Sequence, residues 1–133
     1  MVRPDVAAGK LARARAWLAD AEGLIGGEER RDRDLGAFYL FLAIQECIDL
    51  ATHWVADEGW HVPDDAGGSF DMLADRGVLD RAVAEGMRGA VGLRNRIGHG
   101  YAAIDHGRIG QDLASGAQTL RKFLAAVADQ AEL

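Results

Sequence analysis

The chain has 133 residues, of which 49% are hydrophobic and 7% aromatic. This length fits a single domain with an ordinary hydrophobic core, and we expect residues 1–133 to form one. With 15 Lys and Arg against 21 Asp and Glu, the net charge is −6. Proteins that coat nucleic acid through phosphate contacts are usually basic, so this class is disfavoured. A small RNA site built on a few arginines is still compatible with the charge.

The apolar pattern predicts helices throughout the chain. Alanine and leucine are abundant, only two prolines occur, and no strand-like alternation stands out. Such a composition is typical of an all-α protein. We predict an antiparallel bundle of four long helices and one short helix, with the seventeen glycines concentrated at helix ends.

Nothing in the sequence indicates secretion or membrane insertion. The N-terminus lacks an apolar signal region, and we expect no apolar run that approaches the length of a membrane span. The single cysteine, Cys47, lies in an apolar segment and is interpreted as a buried structural thiol. We therefore expect a cytoplasmic protein without membrane contact.

In chain order, the first helix is predicted to begin with Asp5 as its N-terminal cap and to end at Gly26. The charged run over 28–34 is interpreted as a solvated turn. The second helix, predicted over about 34–57, is apolar almost all round, which indicates burial on more than one side. Because the domain is small, we expect a second copy to supply part of that burial, and we predict a homodimer.

Polar residues interrupt the apolar pattern of the second helix at Gln45, Asp49 and Thr52. Their spacing of four and then three places them on one face. One interpretation is a wet edge of the bundle. The other is that Gln45 or Asp49 faces Arg94 and fixes its guanidinium in a bidentate contact. The sequence leaves both interpretations open.

The segment 59–68 is interpreted as a loop. It contains His61, Asp64 and Asp65, but their spacing matches no recognised ligand pattern, so we expect no metal and no cofactor. Ser69 is predicted to cap a short helix that follows.

An Arg-x4-His-x-Tyr motif supplies Arg94, His99 and Tyr101. It lies at the end of a fourth predicted helix, whose apolar stripe comprises Leu79, Val83, Met87, Ala90 and Ile97. Arg94 lies on the apolar stripe of that helix, three residues before Ile97. An unpaired guanidinium on the core side is costly, so it needs either a buried carboxylate partner or a functional cleft.

Five residues of unbroken helix would aim Arg94 and His99 about 140° apart around the axis. Glycines flank the histidine on both sides, so we expect the helix to end between Ile97 and His99. The chain then unwinds and His99 folds back beside Arg94. The helix C-terminus favours a protonated histidine and the arginine opposes it, a balance that suits general acid–base chemistry.

This motif resembles the signature of the HEPN superfamily, and the chain is most similar to its HepT-like toxins. The similarity also covers the preceding helix with its Gln-x3-Asp pattern and the Ile-Asp segment after the motif. It implies a metal-independent endoribonuclease toxin whose expected substrate is tRNA. The expected partner is a minimal nucleotidyltransferase antitoxin of the MntA type, which attaches AMP to Tyr101. HepT-like dimers bring two motifs toward a shared cleft.

Under this hypothesis His99 is the acid–base group and Arg94 is a permanently charged donor fork. Asn95, Gln45 and Asp49 are expected to support them. The purely structural interpretation is a buried Arg–Asp pair, with His99 as the residue that ends the helix. The alternative function is a non-catalytic accessory subunit of a nucleotidyltransferase, in which the same cluster binds an anion such as a nucleotide.

Overall fold

A computed structural model describes residues 3–100 and 106–132 of the chain. Within these ranges it has five α-helices and no strand: α1 Pro4–Glu22, α2 Arg30–Asp57, α3 Gly68–Asp75, α4 Arg81–Gly98 and α5 His106–Gln130. The predicted all-α fold is confirmed, and among the described residues four helices have 18 to 28 residues and one has eight. Helix α2 is the central element, because it packs against each of the other four.

The core is made of aliphatic and aromatic side chains from all five helices. Phe70 of α3 and Phe123 of α5 meet edge to face, with ring centroids 5.2 Å apart. Fully buried side chains from α2 and α4 complete this core: Leu40, Ile44, Leu50, Val55 and Met87. Cys47 is also fully buried, and burial together with the neighbouring Glu46 charge raises the pKa of its thiol. The buried structural thiol is thus confirmed.

The helix starts differ from the predicted ones. Helix α1 begins at Pro4 with Arg3 at its N-cap, so Asp5 lies inside the first turn and is not the cap. Proline suits this first position because its missing N–H is one that has no helical partner. The backbone N–H of Arg3 donates instead to the Asp57 carboxylate at 2.9 Å, which ties the start of α1 to the end of α2.

Helix α2 starts within the charged run, at Arg30, so the interpretation of that whole run as a turn is wrong. Arg30 and Asp34 form an i,i+4 pair at 3.7 Å, and Arg33 donates to the Gly27 carbonyl at 3.1 Å. Side-chain contacts that the apolar pattern does not record therefore extend the helix into the run.

Ser69 is not the cap of α3, because Gly67 occupies that position. The Ser69 side chain is 1% exposed, and its hydroxyl is hydrogen-bonded to that of Thr52 at 3.3 Å. A buried hydroxyl needs such a partner, and here α2 provides it.

Many glycines lie inside helices, contrary to their expected concentration at helix ends. Two of them mark places where helices or turns touch. A Cβ on Gly36 would lie 2.8 Å from Ile25 Cγ2 and 2.9 Å from the Ile25 backbone nitrogen. A Cβ on Gly116 would lie 2.6 Å from Leu93 Cδ2. At these positions the absent side chain permits close approach.

We expect Gly36→Ala to lower the free energy of unfolding by about 1–3 kcal/mol, because the clash includes backbone that cannot move aside. Gly92→Ala is the matched control. No atom lies within 4 Å of a Cβ at Gly92, so alanine in mid-helix is expected to stabilise by roughly 0.5–1 kcal/mol. Denaturant unfolding of both variants measures the difference. Equal effects of the two substitutions would contradict this packing at Gly36.

The expectation that no apolar run approaches the length of a membrane span is wrong for α2. By length and composition, this helix is long and apolar enough to cross a membrane. Its most apolar stretch is 50% buried inside the bundle. Packing against all four other helices is the physical reason for this apolarity.

Candidate active site

Helix α4 carries the motif to the end of the bundle and stops where the sequence predicts. The helix ends at Gly98, and His99 follows as its C-cap with φ −90° and ψ 9°. The backbone N–H of His99 donates to the Asn95 carbonyl at 3.0 Å, and that of Gly100 donates to Ile97 at 3.1 Å. Gly100 has φ +89°, a conformation that favours glycine and turns the chain away from the helix axis.

Arg94 lies half-buried at the edge of the core face of α4, next to the buried Leu93. Its Nη1 donates to Gln45 Oε1 of α2 at 3.3 Å. Its Nε and Nη2 both donate to Asn95 Oδ1, at 3.1 and 2.7 Å. The α2 partner is therefore Gln45, through one hydrogen bond, whereas the two-donor contact is made with Asn95.

Among the hydrogen bonds of the described residues, Asp49 contacts Gln45 and not Arg94 itself. Its Oδ1 accepts from Gln45 Nε2 at 3.4 Å. This contact holds the amide so that its nitrogen faces Asp49 and its oxygen faces Arg94. The structure thus brings four of the proposed site residues into one chain of contacts: Asn95, Arg94, Gln45 and Asp49.

Arg94 differs from most arginines of this protein in the kind of partner it has. Several others lie within 4.0 Å of a carboxylate: Arg13, Arg30, Arg31, Arg81, Arg88, Arg96 and Arg121. Within the described part of the chain, the hydrogen-bond partners of Arg94 are the amide oxygens of Gln45 and Asn95. Amides orient a guanidinium without neutralising it. The positive charge therefore stays available to an anionic ligand.

The chain does not unwind before His99, contrary to the expectation. The backbone hydrogen bond from His99 to Asn95 keeps this residue on the helical path, and the turn away from the helix comes one residue later, at Gly100. The side chains of Arg94 and His99 therefore leave the helix about 140° apart. His99 itself is exposed.

An apolar face of α2 adjoins the arginine. Leu35 and Phe38 are 41% and 52% exposed, and Leu42 is half-buried. Their spacing of three and then four continues to Gln45, so all four lie on one side of the helix. We call Leu35, Phe38 and Leu42 the α2 apolar face.

Two further sequence predictions concern Tyr101, the expected modification position, and the loop over 59–68. Tyr101 lies outside the described residues. In the loop, Asp65 pairs with Arg88 at 3.4 Å and Trp60 is covered by the Arg76 guanidinium 4.9 Å from the ring centroid. Across the described ranges, no group of three or more His, Cys, Asp or Glu is arranged to hold a metal ion.

Sequence reasoning missed a contact of Arg96, which lies between the two motif residues. Its Nη2 lies 3.5 Å from Asp112 Oδ2 of α5. No local pattern marks this pair, because its members belong to different helices.

The fold is that of the HEPN toxins. A solved structure of the tri-AMPylated Shewanella oneidensis HEPN toxin in complex with MNT antitoxin matches with a TM-score of 0.84. The match covers 94% of this chain and 98% of that one at 18% identity. A Bacillus subtilis structure described as the cytosolic protein of unknown function YutE matches with a TM-score of 0.79 at 14% identity, covering 96% and 90% of the two chains.

Residues 19–127 match the family described as ribonuclease HepT-like, and the chain belongs to this family. A putative RNase of Archaeoglobus fulgidus is 33% identical over 98 residues, which are 73% of this chain and 74% of that protein. An mRNA nuclease HepT of Shewanella oneidensis is 28% identical over 61 residues, 46% of each chain. Family membership and these two names support ribonuclease activity.

Proposed function

We propose that this chain is the toxin of a toxin–antitoxin pair and a metal-independent endoribonuclease, with Arg94 and His99 as catalytic residues. The observation that carries the proposal is the arginine held by amides at the end of α4. A guanidinium that, among the described residues, is held by amides and pairs with no carboxylate is suited to stabilising charge on a phosphate. Cleavage of purified RNA by the wild type, and its loss in His99→Ala, tests the proposal.

The proposed step uses the 2′-hydroxyl of RNA as the nucleophile. His99 removes the 2′-hydroxyl proton as the oxygen forms a bond to phosphorus, and the bond from phosphorus to the 5′-oxygen breaks. A protonated His99 of a second copy donates a proton to the leaving 5′-oxygen. Arg94 stabilises the charge that builds up on the phosphate oxygens. The products are a 2′,3′-cyclic phosphate and a 5′-hydroxyl.

A homodimer forms part of this proposal. The backbone directions of Arg94 and His99 diverge by about 140° around α4, which supports a second copy as the source of one of the two groups around a phosphate. The α2 apolar face supports this assembly, because it lies on the same side of α2 as Gln45 and exposes large apolar side chains. We place this face on the two-fold axis.

Phe38→Asp is expected to give a monomer without RNase activity, because it places a charge at the proposed interface. Light scattering at micromolar concentration measures the mass. Val62→Asp is the matched control, since Val62 is 38% exposed but belongs to the loop before α3. We expect it to stay a dimer. A wild type of monomer mass would contradict the assembly.

The proposed partner is a nucleotidyltransferase antitoxin of the MntA type that attaches AMP to Tyr101. The described state of the Shewanella structure, a tri-AMPylated toxin with MNT antitoxin, supports this pairing. An AMP group near the site would repel substrate phosphate by like charge. We propose tRNA as the substrate and the cytoplasm as the compartment. The name of the Shewanella relative makes messenger RNA the competing substrate, and sequencing of the cleaved ends distinguishes them.

Tyr101→Phe is expected to keep RNA cleavage, because only the hydroxyl is lost, and to escape neutralisation by the antitoxin. Growth of cells that co-express the antitoxin with each variant measures this, with Tyr39→Phe as a control outside the motif. Silencing of Tyr101→Phe as complete as that of the wild type would rule out this tyrosine as the modified residue.

The second candidate function is a non-catalytic module that binds a nucleotide. The net charge of −6 favours it, because proteins that bind RNA are more often basic. Calorimetry with AMP distinguishes the two functions. An inert wild type that binds AMP stoichiometrically at Arg94 indicates the module.

A further inference from the structure

The last turns of α4 carry a second arginine on the opposite side from the first. Arg96 follows Arg94 by two residues, which is about 200° around the helix, so it points toward α5. Arg96 and Asp112 form a single contact at 3.5 Å, with side chains 48% and 32% exposed. Arg96 also precedes His99 by three residues, a spacing that makes the two neighbours on the helix surface.

A groove between α4 and α5 runs alongside this ion pair. It has a volume of about 250 Å³, and Arg96 and Asp112 form part of its wall. Gly89 and Gly116 add only backbone to its lining, beside the buried Ala90 and Leu93, and the exposed Ser115 adds a hydroxyl. The groove therefore offers room beside the guanidinium for part of a polar chain.

The Arg96 contact is looser than two of the ion pairs that join other helices. Arg88 Nε donates to Asp71 at 2.6 Å, and Arg121 donates to both Glu22 oxygens at 2.7 and 2.5 Å. A single, half-exposed contact of 3.5 Å contributes little to stability. Arg96 can therefore exchange its carboxylate for another anion at small cost.

We propose that Arg96 binds an RNA phosphate next to the one being cleaved, and that Asp112 is the counter-ion that this phosphate displaces. This inference rests on the proposed function, since it assumes that the RNA strand cleaved at His99 is also the strand held at Arg96. A guanidinium matches phosphate geometry with two parallel hydrogen bonds. Arg96 positions the RNA strand in this proposal, and competition from Asp112 lowers the affinity of Arg96 for the phosphate.

The test is binding of a fluorescein-labelled, mixed-sequence 2′-O-methyl RNA, which cannot be cleaved because it lacks a free 2′-hydroxyl. Anisotropy is measured over a range of salt concentrations. Arg96→Gln is expected to weaken binding several-fold and to reduce the salt slope by about 0.7, the value for one lost phosphate contact on a single strand. Asp112→Asn is expected to tighten binding. In cleavage assays Arg96→Gln is expected to raise KM and to leave kcat nearly unchanged.

Arg81→Gln is the matched control, because Arg81 begins α4 and also pairs with one carboxylate, Asp75. We expect it to bind RNA like the wild type. The inference is overturned if Arg96→Gln weakens binding no more than Arg81→Gln does, or if Asp112→Asn weakens it as Arg96→Gln does. A wild type that does not bind the probe also overturns it. Probe binding with the expected order of variants but without RNA cleavage would contradict the proposed function alone.

Discussion

Alanine at Arg94 or at His99 is expected to abolish RNA cleavage while the bundle stays folded. Loss of a positioned acid–base group typically costs about 10²–10⁴-fold in rate. Loss of a preorganised donor that stabilises charge costs on the order of 10²–10³-fold. Both side chains lie outside the fully buried core, so circular dichroism and thermal unfolding are expected to change little. Initial rates on purified RNA give the size of each loss.

Two further variants sharpen this prediction. Arg94→Lys keeps the charge but not the planar fork, so we expect it to stay far below the wild-type rate. Arg81→Ala removes an arginine from the other end of α4 and is expected to cleave normally. A His99→Ala variant that cuts at the wild-type rate would leave the anion-binding module as the better account.

Gln45→Glu is expected to be almost as harmful, although it is nearly isosteric. The Gln45 oxygen already lies 3.3 Å from Arg94 Nη1. A carboxylate at that position would form an ion pair with the guanidinium and offset the charge meant for the substrate. We expect a loss on the order of 10²-fold, similar to removal of a charge-stabilising donor. Cleavage rates measure the loss, and unfolding reports the balance between the new ion pair with Arg94 and the repulsion between the new carboxylate and Asp49, which loses its amide donor.

The control for this variant makes the same chemical change elsewhere. Gln118 is exposed on α5, so Gln118→Glu adds the same charge away from Arg94. It is expected to keep wild-type cleavage. Asp49→Asn, which weakens the orientation of the Gln45 amide, is expected to have an intermediate effect. Wild-type rates in Gln45→Glu would show that the uncompensated charge of Arg94 is not needed.

The sequence predicts the bundle and the end of α4 well, because both depend on local chemistry. Apolar residues at helical spacing mark the buried faces, and glycine at position 100 marks the turn that ends the motif helix. The same spacing places Gln45 and Asp49 on one face of α2. It does not decide which of them reaches Arg94, because that depends on how α2 and α4 cross.

The wrong predictions concern contacts between elements. Ser69 has the residue type of a cap, but its hydroxyl is buried against Thr52. Gly36 lies inside a helix because Ile25 packs against it, which no helix propensity records. His99 stays on the helical path because its backbone N–H donates to the Asn95 carbonyl within the same helix. The pair of Arg96 and Asp112 arises only when α4 and α5 pack together.

The ends of the RNA fragments test the central claim most directly. Purified wild-type protein is incubated with RNA in the presence of a chelator, and the product ends are identified by mass spectrometry. Attack by the 2′-hydroxyl, assisted by His99 and Arg94, predicts undiminished cleavage, 2′,3′-cyclic phosphate at one end and 5′-hydroxyl at the other. Products with a 5′-phosphate, or cleavage that stops when the chelator is added, would contradict it.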